Sequence, residues 1–195
     1  MARVLKILVE FFLSLFAPRV PQEKKEFTPE DLLQGIRQVE ANGNYNAYYS
    51  NARNVQKPKF TSMSFREVLE WQDQFVRNGK PSSAVGAYQF IRATLREFVP
   101  IAGLKFTDKF SEENQDLLAV KLLERRGYNS YRDGSLSATE FGNRLAREWA
   151  SFPVMNKQQG AYRVVKRGQS YYAGDKLNKA LVSPEEVLVW IKKVK

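Results

Sequence analysis

Glu40 lies in the stretch Gly35-Ile-Arg-Gln-Val-Glu40-Ala-Asn-Gly-Asn-Tyr45-Asn, at the end of a well-capped helical segment that runs into a polar, Gly-containing loop. A carboxyl group there can be sheltered by apolar neighbours while facing an open cleft. Burial disfavours the charged form and raises the pKa, so such an acid still donates a proton near neutral pH. The chain has no His and no Cys. Proton transfer therefore falls to a carboxylate, a Lys or a Tyr. The alternative is that Glu40 is one of 21 acidic residues, at an ordinary solvated helix end.

Three further segments carry groups suited to a sugar. Residues 82–90, Ser-Ser83-Ala-Val-Gly86-Ala-Tyr88-Gln89-Phe, have the pattern of a loop entering a helix. Its small residues let a ligand approach the backbone. Gln89 offers a donor and an acceptor, and Tyr88 a flat apolar face with a hydroxyl, which suits an N-acetylated sugar; the same residues also fit a turn followed by a core aromatic. Trp149, in Arg-Glu-Trp149-Ala-Ser-Phe-Pro, is open to two readings, a core anchor or a sugar platform. Tyr171 and Tyr172, before Ala173-Gly174, could line a cleft or pack as a corner. With Tyr45 and Ser83 these make up the candidate substrate-binding set.

The elements that must position these groups are marked by caps. Thr28-Pro29 places a cap before a Pro at the first helical position. Ser64…Glu67, Ser137…Glu140 and Ser183…Glu186 match the capping box, and Ser111 is a plainer cap for a helix that should stop at Gly127. Expected helices are 3–16, 29–40, 64–78, 92–101, 111–126, 137–150 and 184–192, with a short one near 175–181. Small hairpins are expected within 45–61 and 161–172. The expectation is a mainly α domain with a minor β element over residues 28–195.

The 195 residues carry 31 Lys and Arg against 21 Asp and Glu, a net charge of +10 that favours anionic partners. Nine basic residues against three acidic ones fall in 156–195. Without Cys there are no disulfides and no thiol catalysis, and without His no imidazole ligand, so no metal or cofactor is expected. Residues 3–16 place Val4, Leu5, Ile7, Leu8, Phe11, Phe12, Leu15 and Phe16 at helical spacing, too short a run to span a bilayer. A signal peptide is one reading; Glu10 inside the run and Pro18-Arg19 after it favour an uncleaved amphipathic helix, docking on another protein or a membrane surface. Residues 17–27 read as a linker, giving a 1–27 appendage.

Taken in order behind Glu40, these segments resemble the lysozyme-like peptidoglycan-cleaving enzymes, and in particular bacteriophage lytic transglycosylases of the lambda endolysin type. Gly86-Ala87-Tyr88-Gln89 is similar to the family's Gly-x-Tyr-Gln segment. Phe110-Ser111, Asn114-Gln115-Asp116 and Glu124-Arg125-Arg126-Gly127 look like its next helix. Trp149-Ala-Ser151-Phe-Pro153 resembles Trp-Ala-Ser-x-Pro, and Tyr171-Tyr172-Ala-Gly174 resembles Tyr-Asn-Ala-Gly. The resemblance covers roughly 29–182 and implies an α+β lysozyme-like fold with Glu40 as catalytic acid/base. It also implies that Gly86, Tyr88 and Gln89 line a glycan cleft, and that one of Tyr171 and Tyr172 orients Glu40. The appendage, which a simple endolysin lacks, suggests a virion-attached enzyme acting in the host periplasm and wall.

The reaction type turns on carboxylates. A glycoside hydrolase of this kind normally uses two. No acidic residue follows Glu40 until Glu67, which favours single-acid lytic transglycosylase chemistry; Glu67, Glu70 and Asp73 keep muramidase hydrolysis open. A non-catalytic virion or ejection component of lysozyme-like shape is a further alternative. No nucleic-acid module is present, so no specific nucleic-acid partner is expected.

Overall fold

The computed structural model describes residues 29–194. The expected 3–16 helix and 17–27 linker lie outside them. Among the described residues there are seven helices: α1 Glu30–Ala41, α2 Phe65–Arg77, α3 Arg92–Ile101, α4 Glu112–Arg125, α5 Tyr128–Arg132, α6 Ala138–Leu145 and α7 Pro184–Lys193. A 3-10 turn spans Phe60–Ser62, and β1 Gln158–Gln159 pairs antiparallel with β2 Val164–Val165. This is the mainly helical, lysozyme-like architecture the sequence implied.

The helix starts follow the caps. Ser64 and Ser183 form complete capping boxes with Glu67 and Glu186. Ser111 and Ser137 accept from the N–H groups of Asn114 and Glu140, but the Glu140 carboxylate turns to Arg144 instead of closing a box. At α1 the cap position is taken by Pro29 itself. Gly127, with φ of 96°, turns the chain directly from α4 into the short α5, whose Tyr131 ring stacks on Phe141 at 5.2 Å.

Four expectations are corrected. The 137–150 helix ends at Leu145; Arg147 and Glu148 then donate to Arg144 and Leu145, a tighter three-residue pattern that closes the last turn. Residues 45–61 hold a single antiparallel bridge, Tyr48 to Asn51, and no strand of greater length, because asparagine side chains satisfy the backbone beyond it. Asn54 donates to the carbonyls of Asn46 and Pro58, and Asn44 to those of Ala52 and Asn54. The region 175–181 is not helical: the Asp175 carboxylate accepts from the N–H groups of Leu177 and Asn178, fixing a turn. The later hairpin sits at 158–165, since 169–171 pairs back to Val154 and Ala161 instead.

One continuous core joins the helices. For the site, the important packing is α7 on α1. A Cβ on Gly35 would lie 2.6 Å from the Trp190 ring, so the missing side chain is what lets the two helices meet there. The same Trp190 ring lies 6.1 Å from Phe152. One residue of α7 thus braces both the helix that carries Glu40 and the segment that follows Trp149.

Candidate active site

α1 stops just past Glu40 because Asn42 and Gly43 take left-handed conformations, with φ of 51° and 74°. Their N–H groups close on the carbonyls of Gln38 and Arg37 at 3.1 and 3.0 Å. Glu40 is left half-buried in the wall of a cleft of about 520 Å3. The hydroxyl of Ser151 donates to its Oε1. Burial pushes the Glu40 carboxyl up to about 7, while the hydroxyl and N–H of Ser151 pull it back down. An acid in that range holds its proton in a large fraction of molecules near neutrality and still functions as a base once ionised.

The cleft contains a second carboxylate in a different setting. Glu148, at 7% side-chain exposure, accepts from Arg125 at 2.8 and 2.9 Å and from Arg126 at 2.7 Å. Both of its oxygens are occupied by guanidinium groups. Neither Glu67, Glu70 nor Asp73 lines the cleft. Glu67 is spent on its capping box, and Asp73 pairs with Arg92 and Arg96 at 3.0 and 2.7 Å.

Of the sequence-derived set, Tyr88, Gln89, Trp149 and Tyr172 line the cleft together with Glu40. Tyr88 and Trp149 do so with little exposed surface, 1% and 3%. The Tyr88 hydroxyl donates to Asp116 at 2.6 Å and accepts from Arg37 at 2.9 Å. Tyr45 also turns its hydroxyl to Asp116, at 2.8 Å, and stands behind the wall. Burial, aided by the Asp116 carboxylate, pushes both phenols up, so they remain neutral donors.

Gly86 and Ser83 likewise build the wall from behind. Gly86 has φ of 79°, and a Cβ there would meet the Gln115 Oε1 at 2.4 Å. That oxygen accepts from the Ala87 N–H at 2.9 Å, while the Gln115 amide donates to the carbonyls of Tyr45 and Phe110. Gln115 thereby clamps the Gly86–Gln89 turn, and Gln89 donates within that turn to the Gly86 carbonyl. The Ser83 hydroxyl accepts from the Arg92 N–H at the start of α3. Tyr172 donates to the Arg147 carbonyl at 2.8 Å, and Tyr171 lies outside the lining beneath the Arg147 guanidinium. The hydroxyl on Glu40 comes from Ser151, not from either tyrosine.

Sequence reasoning gave no role to Ser151, Glu148, Arg125, Arg126 or Arg147. Ser151 was within reach, as the one hydroxyl of the Trp-Ala-Ser-Phe-Pro segment. The arginine pair and Glu148 carried no local signal, because their contact joins α4 to the turn after α6.

The chain thus forms a mainly helical lysozyme-like domain with a carboxyl of raised pKa, Glu40, in an open cleft. A family model described as Endolysin matches residues 31–176, a span that runs from the start of α1 to beyond Tyr172. The chain belongs to the Endolysin family, phage proteins that degrade the bacterial cell wall, with peptidoglycan as substrate. No curated protein matches it, and no solved structure does.

Proposed function

We propose that the protein cuts the glycan strand of peptidoglycan as a lytic transglycosylase, with Glu40 as its single acid/base. The protonated Glu40 gives its proton to the glycosidic oxygen as the bond from that oxygen to the muramic acid C1 breaks. The substrate's own N-acetyl oxygen supports the electron-poor C1. The Glu40 carboxylate then takes the proton of the muramic acid 6-hydroxyl as that oxygen bonds to C1. Glu40 ends protonated again, and the product carries a 1,6-anhydro ring with no water consumed. Ser151 holds the carboxyl toward the cleft through both states.

The observation that carries this reading is the contrast between the two cleft carboxylates. A two-carboxylate hydrolase needs a second group free to activate water or attack the sugar. Glu148 has both oxygens committed to Arg125 and Arg126. That leaves Glu40 as the cleft carboxylate able to exchange a proton. Mass spectrometry of muropeptides from digested peptidoglycan tests it. Anhydro ends, one water lighter than hydrolysis products, are expected; a predominance of reducing-end muramic acid makes the protein a muramidase instead. The apolar stripe of residues 3–16 supports, from sequence, a protein carried by the virion and acting in the host wall.

A further inference from the structure

The charged groups that line the cleft are Glu40, Glu148, Arg125, Arg126 and Arg147. Arg125 and Arg126 neutralise Glu148, and Arg125 also reaches Glu97 at 3.2 Å. Arg147 differs from both. Its backbone carbonyl is gripped by the Tyr172 hydroxyl at 2.8 Å and by Arg126 at 3.3 Å. Its exposed guanidinium lies 5.4 Å above the centre of the Tyr171 ring, and among the described residues no carboxylate stands within ion-pair distance of it. Tyr171 and Tyr172 brace each other edge to face at 5.1 Å. The result is a held cation on an aromatic plate at the cleft edge, with its hydrogen-bond donors turned to no protein anion. A planar guanidinium is suited to bind a carboxylate with two parallel hydrogen bonds.

We propose that Arg147 is a docking point for a carboxylate carried by the substrate, so that the cleft recognises peptidoglycan by its acid groups as well as by its sugars. This rests on the glycan-cleaving reading above. Peptidoglycan offers two sources of that chemistry: the carboxylates of its peptide stems, and the lactyl carboxylate exposed on muramic acid when a stem is missing. Tyr171, which stands outside the cleft lining, then has a role as the support of Arg147.

Binding measurements on the full chain test this without turnover. Three soluble glycan fragments are titrated into the Glu40→Gln protein: one with stems bearing free carboxylates, the same fragment with those carboxylates converted to amides, and a stem-free fragment. Adding Arg147→Gln is expected to weaken binding of a carboxylate-bearing fragment about two- to fivefold at low salt, the scale of an exposed ion pair. The amidated fragment should bind equally well with or without Arg147. Weakening of the stem-bearing fragment identifies the stem as the source, and weakening of the stem-free fragment alone identifies the lactyl group. Arg147→Lys keeps the charge but not the paired donors, so its binding of carboxylate-bearing fragments should fall between that of Arg147 and that of Arg147→Gln. The proposal is overturned if Arg147→Gln weakens the amidated fragment equally or if it changes no fragment. If none of the three fragments binds to the Glu40→Gln protein, the glycan reading of the cleft fails as well.

Discussion

Glu40 and Glu148 line the same cleft, yet the fold treats them oppositely. Glu40 is given one neutral hydroxyl, from Ser151, and is otherwise desolvated, so its charged form is disfavoured. Glu148 is given two guanidiniums that occupy both oxygens. The first arrangement leaves a proton free to move. The second fixes a charge and ties α4 to the turn after α6. Two identical side chains thus divide, through burial and partners together, into a carboxyl able to hold a proton and one tied up by guanidiniums.

The largest expected effect comes from breaking the reactive side. Glu40→Gln is isosteric but cannot cycle a proton, so clearing of a cell-wall suspension should slow by about 10²–10⁴. The folded fraction of Glu148→Gln, in contrast, should keep activity within about tenfold. Near wild-type clearing by Glu40→Gln would erase the distinction. Glu148→Gln should instead lose stability, about 3 kcal/mol by urea unfolding, because it leaves two arginines facing a half-buried site without their anion. An unchanged unfolding midpoint would mean that the Arg125–Glu148–Arg126 cluster holds nothing together.

Much of this fold was legible in the sequence. Ser64, Ser111, Ser137 and Ser183 announced the starts of four helices within a residue, because a cap is a local device whose partners lie three residues apart. Glu40 was legible for a related reason: the helix end and the Asn-Gly turn that present it are adjacent in the chain. The hydroxyl that holds Glu40 belongs to a residue 111 positions away, and no local pattern encodes that pairing. Tyr45 and Ser83 were read as ligand groups, yet their hydroxyls serve Asp116 and the start of α3. A polar side chain near a cleft reads the same in sequence whether it faces the substrate or holds the wall. The hairpin was misplaced because strands of two residues offer no period to detect.

A smaller effect sharpens the comparison through pH. Glu40 has a folded pKa raised from 4.5 to about 7. A raised value means that the native state binds the proton more tightly than the unfolded chain. The associated stability is complete below about 4.5 and is lost as pH rises through about 7. Glu40→Gln should therefore be near neutral for stability at pH 4, and stabilising by roughly 1–3 kcal/mol at pH 8. Thermal unfolding at both pH values checks this, and a variant equally stable relative to wild type at both would contradict the burial argument.

The smallest effect belongs to Ser151. Its hydrogen bonds favour the ionised carboxyl, so Ser151→Ala should move the alkaline limb of kcat/KM to higher pH. The same limb should stay in place in Glu148→Gln, because Glu148 has no part in the shift of the Glu40 carboxyl. A limb that moves with Glu148 and not with Ser151 would reverse the assignment of partners.

The most direct test is a carbon-detected NMR titration of the Glu40 side-chain carboxyl in the intact protein, assigned by the signal that disappears in Glu40→Gln. A midpoint near 7 is expected. A midpoint near 4.5, the ordinary value for a solvated glutamate, would contradict it, since Glu40 would then carry almost no proton to give at neutral pH.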